Sequence, residues 1–275
     1  MIRFLYGNDA KCSDAALLSH IKDHAQRGET ALLLVPEQQT VTTERRMVEL
    51  LPPQAQLTFE VSNFTRLANR IFRHLGGLSC RYATPAATSL IMWQSLRRIA
   101  PMLQQYGTHA GSDLRLCERM LSAVSQFKAY CVDAEALSEA AQALAEGDPL
   151  KSKLSDLALV LATYEAELGA RYDDATSDLS RAAALLSESK HLFADTHFYI
   201  SSFTDFTGQE LALIRILMSS CASLTVSLPL AAHGDEGIHL SAAIATEQRL
   251  LSMARDLGIR EIGRASCRER VCCAV

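Results

Sequence analysis

No apolar run in the 275-residue chain approaches the roughly 20 residues that a membrane-spanning helix needs. The N-terminal segment reads as a strand with a charge, Arg3, inside it and not as a secretory signal. A bacterial-type cytoplasmic location with no membrane partner is therefore the expectation. Strong net charge is lacking too. Lys+Arg total 27 against 31 Asp+Glu, a formal −4, so bulk charge gives no reason to expect nucleic acid or an anionic surface. Metal-ligand spacing is missing among the cysteines: Cys12, Cys80, Cys117, Cys131 and Cys221 form no CxxC or Cys/His pattern. They read as buried thiols in a reducing compartment. His20 and His24 are four apart on a helical segment but lack a third ligand nearby, and read as exposed helical histidines. Asp173-Asp174 and Asp235-Glu236 read as solvated turns, not as an acid–base pair.

What is present is a foldable chain, 48% hydrophobic. Residues 1–37 read as strand, loop, helix, strand: Ile2 to Tyr6, a polar loop from Gly7, an amphipathic segment from about Asp14 to Arg27, then Ala31 to Val35 stopped by Pro36. The second strand has no polar alternation, as expected of a parallel strand buried on both faces. A phosphate-binding loop belongs after the first strand. The chemistry it needs is absent. Against GxxGxGK[ST], Gly7 matches, but Ala10 and Cys12 replace the second and third glycines. Ser13 stands at the lysine position and Asp14 at the hydroxyl position. The backbone cradle and the phosphate-reaching ammonium are lost, and a carboxylate faces where phosphate would sit.

Leu57 to Val61 alternates as a third strand. The most regular helix follows, with Ser62 or Asn63 as its cap. Phe64, Leu67, Ala68, Ile71, Phe72 and Leu75 line one face, and Gly76-Gly77 stops it. Its opposite face carries Arg66, Arg70, Arg73 and His74. No acidic residue occurs between Glu60 and Asp113, whereas six arginines do: Arg66, Arg70, Arg73, Arg81, Arg97 and Arg98. This row reads either as a phosphate-contact surface or as a solvated face paired with the acid-rich later half. Helix then follows helix from Thr84 to Leu179, over Ala86–Ile99, Leu114–Tyr130, Ala134–Ala145 and Leu154–Tyr172, with no strand across the span. A helical insertion into an α/β domain accounts for it. Strands return at Thr196 to Ser202 and Ser223 to Leu228, and a helix runs from Ala242 to Leu257.

From Glu261 the pattern breaks. Ile262 to Val271 reads like one frame of a common short-read sequencing adapter, so the expectation is that the natural chain departs from this sequence near Arg260. The domain reading is 1–84, first part of the α/β domain; 85–180, helical insertion; 181–260, return of the α/β domain; 261–275, the artefact.

Several short motifs in order carry a family resemblance: the loop after strand one, Leu33-Leu34-Val35-Pro36-Glu37-Gln38 with Thr40, Val61 to Leu67 leading to Gly76-Gly77, Lys153 to Leu157 before Tyr164, and Tyr199 to Glu210. Over residues 1 to about 230 the chain resembles the N-terminal part of the AddB family, subunits of the bacterial AddAB helicase–nuclease. A RecC-like scaffold is the nearest rival. The resemblance implies a RecA-like parallel-sheet P-loop NTPase domain of the UvrD helicase type with a helical insertion. It implies a heterodimer with an AddA-type helicase–nuclease subunit and work on double-strand DNA ends in recombinational repair. It places the family's nuclease domain and iron–sulfur cluster at the far C-terminus of the full subunit, outside this chain. Relatives often keep the P-loop and end the fourth strand in aspartate. Here Ser201 takes that place, with Asp205 four residues on. The expectation is a non-motor subunit without ATP, magnesium or any other cofactor in this stretch. DNA contact by resemblance falls to the loops at Gln38 to Thr40 and Ser62 to Arg66, continuing along Arg70 and Arg73. The alternative from another functional class is an active ATPase on the same fold.

Overall fold

The computed structural model describes residues 1–6, 10–78, 81–110, 112–229, 241–259 and 261–266. It divides into two compact units. The first comprises Met1–Gly76, Leu179–Phe206 and Glu210–Val275; the second comprises Gly77–Asp178 with Thr207–Gln209. Among the described residues no helix is long and apolar enough to cross a membrane.

The first unit is built on a parallel sheet of β1 (Ile2–Tyr6), β2 (Thr30–Leu34), β3 (Phe59–Ser62), β4 (Thr196–Ile200), β5 (Ser223–Leu228) and β6 (Glu261–Ser266), in the order β3-β2-β4-β5-β1-β6. The strands β1, β2, β4 and β5 are buried along nearly all their length because both faces are covered. Ile2, Phe4, Leu32, Leu34, Phe198 and Ile200 enter one core, while Leu5, Ala31, Leu33 and Tyr199 enter the other. The period-two alternation of the strand sends neighbours to opposite faces. Helices α1 (Ala10–Gln26) and α2 (Thr40–Leu50) supply Leu17, Ile21 and Met47 to the second core. The first core takes Leu67, Ile71 and Phe72 of α3 (Phe64–Leu75) and Ala182 and Leu186 of α8 (Asp178–Glu188). It also takes Leu213 and Leu217 of α9 (Gly208–Ser220) and Leu250 of α10 (Ser241–Asp256).

The second unit is a helical bundle of α4 (Pro85–Ile99), α5 (Leu114–Ala129), α6 (Ala134–Gln142) and α7 (Pro149–Gly169). Each helix begins on a side chain that accepts one of its free N–H groups: Thr84 from Ala87, Asp113 from Arg115, Asp133 from Ala136 and Asp148 from Leu150. Such a cap contributes about 1 kcal/mol. Met92, Leu96, Met120, Leu161 and Tyr164 lie at the bundle's centre. Asp156, inside the Lys153–Leu157 motif, is 2% exposed. Its carboxylate accepts the backbone N–H of Gln104 at 2.9 Å, Gln105 at 2.8 Å and Tyr106 at 3.2 Å, which fixes the turn after α4. Gly208 also belongs to this unit. A Cβ there would lie 2.6 Å from the Tyr130 carbonyl oxygen, so the close approach requires glycine. The Gln209 amide donates to the carbonyls of Lys128 and Thr176, both at 2.8 Å.

The structure departs from the sequence reading in several places: α1 starts at Ala10 and not at about Asp14, and β3 at Phe59 and not at Leu57. Helix α7 starts at Pro149 and not at Leu154, because Asp148 and Pro149 form a cap and a first-turn proline. Helix α8 lies where the sequence reading has no separate element. Residues Glu261–Ser266, set outside the fold by the sequence reading, pair with β1, with a register shift between Ile2 and Phe4. Edge pairing runs through backbone groups that every residue carries, so it does not depend on what 261–266 encode. Residues 267–275 lie outside the described residues.

Candidate nucleic-acid interface

The carboxyl ends of β2, β3 and β4 are drawn level by two backbone bonds past the strand ends. The Val35 N–H donates to the Ser62 carbonyl at 3.0 Å, and the Ser201 N–H to the Leu34 carbonyl at 3.0 Å. The chain leaves β2 through Pro36 into a 3-10 turn, Glu37–Gln39, and enters α2 at Thr40. It leaves β3 through Asn63, which caps α3 by accepting the Arg66 N–H at 2.8 Å. The Asn63 amide also donates to the Thr40 hydroxyl at 3.3 Å. One side chain thus ends a strand, starts a helix and ties the two loop tops together.

The predicted contact residues fall into two groups. Thr40 and Ser62 are 2% and 1% exposed. Thr40 donates to the Pro36 carbonyl and Ser62 to the Asn63 carbonyl, both at 3.4 Å. These two hold the loops in place. Gln38 and Arg66 are exposed beside the two loops; further along α3, Arg70 is half-buried and Arg73, in its last turn, is exposed. Arg66 pairs with Glu44 of α2, and Arg70 with Glu60 of β3 at 2.6 Å while lying 5.8 Å from the Phe193 ring centroid. The acid partners of Arg66 and Arg70 come from the segment before α3, while Arg98 of the same row pairs with Glu167 of the later half that the sequence reading named. Arg73 has no acidic partner among the described residues; its Nε donates to the Asn69 carbonyl at 3.4 Å. Three arginines along one helix are therefore offset by two carboxylates.

The loop after β4 brings an aromatic group to this edge. Phe203 and Phe206 stack at 5.0 Å, and Phe64 meets Phe203 edge-on at 5.5 Å. Ser202 there has φ +68°, in the left-handed region. Ser201 is buried, and Asp205 is engaged by the Phe206 N–H at 2.8 Å and by Arg249 at 3.3 Å. Sequence reasoning missed the aromatic cluster as a unit, although Phe64, Phe203 and Phe206 all stand inside the quoted motifs. Gly7 lies outside the described residues, as do the side chains of Ser13 and Asp14.

One sequence expectation about histidines is corrected. His20 lies against Arg3 at 3.3 Å and stays apart from His24. His24 stacks on His197 and meets Glu29, so it does have a third polar neighbour, brought from β4.

Among protein families, residues 4–271 match the model described as ADDB, N-terminal. Similar proteins, named as subunits of an ATP-dependent helicase/deoxyribonuclease, occur in Acetivibrio thermocellus, 29% identical over 94% of this chain, and Caldanaerobacter subterraneus, 28% over 94%. Another of the same name, from Desulforudis audaxviator, is 29% identical over 94% of the chain. The chain spans 23%, 22% and 23% of the length of these relatives.

Proposed function

The chain belongs to the ADDB N-terminal family, and from that premise we propose that it is the non-motor, helicase-fold part of a subunit that binds and guides DNA at double-strand ends under resection. Its partner in this reading is an AddA-type helicase–nuclease subunit, and its fold is the RecA-like, UvrD-type domain with a helical insertion. Six parallel strands with helices on both faces support that reading of the fold.

The observation that carries the DNA assignment is the row Arg66, Arg70 and Arg73 beside two loops joined by Asn63. The carboxylates of Glu44 and Glu60 do not disqualify it. Exposed ion pairs contribute about 0–1 kcal/mol each, so exchanging a carboxylate for a backbone phosphate costs little. Asn63, Thr40 and Ser62 position the loops, Gln38 and the arginines meet the phosphates, and the half-buried Phe203 offers a ring edge for an unstacked base. No nucleotide role is assigned, because the loop after β1 lacks the lysine and two of the three glycines of a phosphate cradle.

The test is a salt titration of single-stranded DNA binding by the chain. Each lost phosphate contact reduces the log–log slope by about 0.7, so Arg66→Ala with Arg70→Ala should flatten it by about 1.4 and weaken binding at every salt concentration. Unchanged affinity and slope in the double variant would remove the assignment.

A further inference from the structure

At the opposite, amino-terminal edge of the sheet stands a second polar cluster that the DNA reading does not use. Helix α1 ends in a tight double bond pair: the Glu29 N–H donates to the His24 carbonyl and the Gly28 N–H to the Ala25 carbonyl, both at 3.0 Å. Gly28 has φ +71°, the left-handed residue that this kind of helix end requires. Such ends usually place an apolar contact between the residues at the positions of His24 and Glu29. Here the contact is an imidazole against a carboxylate.

The third member arrives through the sheet. Ala31 of β2 pairs with His197 of β4, and His197 pairs with Ser223 of β5. This register sets the His197 ring on His24, with centroids 3.8 Å apart, and its Nε2 3.4 Å from the Glu29 carboxylate. The other ring nitrogen, Nδ1, is occupied by the Ser223 hydroxyl at 2.7 Å. A histidine whose one nitrogen is held by a neighbour while the other points at a carboxylate is the arrangement of an oriented metal ligand. One donor atom from each of His24, Glu29 and His197 lies within 4.8 Å of the others. Tetrahedral zinc, with bonds of about 2.0–2.2 Å, needs ligand atoms about 3.3 Å apart. The side chains of His24 and His197 are 15% and 16% exposed, so the cluster is shielded yet reachable.

We propose that His24, Glu29 and His197 form a binding site for a zinc-class divalent cation, with a water completing the tetrahedron. Two imidazoles and one carboxylate suit zinc, cobalt or nickel over magnesium or calcium. Arg27 is the occupant that a cation must displace. Its guanidinium donates to Glu29 at 3.1 Å and approaches His24 Nδ1 at 2.9 Å, and 55% of its side chain is exposed, so it can swing into water.

The experiment is titration of the chain with Co²⁺ followed by visible absorption, then competition with Zn²⁺. A 1:1 d–d spectrum without a thiolate charge-transfer band is expected, which separates this site from the cysteines. Ser223→Ala should weaken binding about 10–100-fold, and His197→Ala should weaken it further. Arg27→Ala removes the competitor without touching a ligand or the core, so it should tighten binding. A parent chain that shows no such spectrum, or an Arg27→Ala variant that binds no more tightly than the parent, overturns the proposal even where the histidine variants fail to fold.

Discussion

Replacing Asp156 by alanine should unfold the helical unit at markedly lower denaturant. The carboxylate is 2% exposed and accepts three successive backbone N–H groups, from Gln104, Gln105 and Tyr106. A hydrogen bond to a charged group contributes about 1.5–3 kcal/mol alone, but the released N–H groups are part-buried and recover some water, so the net loss is about 3–4 kcal/mol. That is a large share of a typical total of about 5–15 kcal/mol. Asparagine keeps one acceptor oxygen but turns an amide N–H₂ toward a backbone donor, so it should cost about half as much. The chain has one tryptophan, Trp93, and it packs in this same bundle. Urea unfolding followed by its fluorescence therefore reports the right unit. With a slope of about 1–3 kcal/mol per molar urea, the alanine variant's midpoint should fall by about 1–4 M. A midpoint within about 0.3 M of the parent would refute the view that Asp156 holds the turn after α4.

Two further outcomes are expected. Lys128 lies half-buried between Asp174 and Glu165. Burial alone would raise the Asp174 pKa, but the Lys128 ammonium and the Thr176 hydroxyl and N–H outweigh it and hold it below the ordinary value. Burial alone would lower the Lys128 pKa, but the two carboxylates raise it. The stability from Asp174 is therefore full above the ordinary carboxylate pKa and lost as pH falls through its depressed value. That from Lys128 is lost as pH climbs through its raised value. The Trp93-monitored midpoint should fall at both extremes, and Asp174→Asn should flatten the acid limb; a limb of unchanged steepness would contradict the assignment. Calorimetric titration with Mg–ATP should give no saturable micromolar binding, and finding it would favour the active-ATPase reading.

The parallel sheet was legible because its strands are apolar runs with clear stops: Pro36 after β2, and Gly76 and Asn63 around α3. Helix α8 was not, since its buried stripe is Ala182, Ala183 and Leu186, and alanine gives a weak apolar signal. The arginine row was legible as a pattern, but its partners were not. Glu44 and Glu60 reach it only because α2 and β3 pack beside α3, and no charge count along the chain reveals that. Thr40 and Ser62 were expected by resemblance to meet DNA, yet they are buried at the start of α2 and the end of β3, and that burial depends on packing that the sequence does not display. The His24 cluster was missed for the same reason. Its third member stands far along the chain on β4 and arrives by strand register.

The claim that the carboxyl edge of the sheet meets DNA through α3 is tested most directly by releasing the arginines from their acids. Single-stranded DNA binding by Glu44→Gln with Glu60→Gln should be measured beside the parent from low to moderate salt. With Arg66 and Arg70 freed for phosphate, the affinity should rise and the salt slope steepen by up to about 1.4. Binding that stays the same, or weakens, would contradict the account, because it would make the ion pairs the purpose of the arginines and not their resting state.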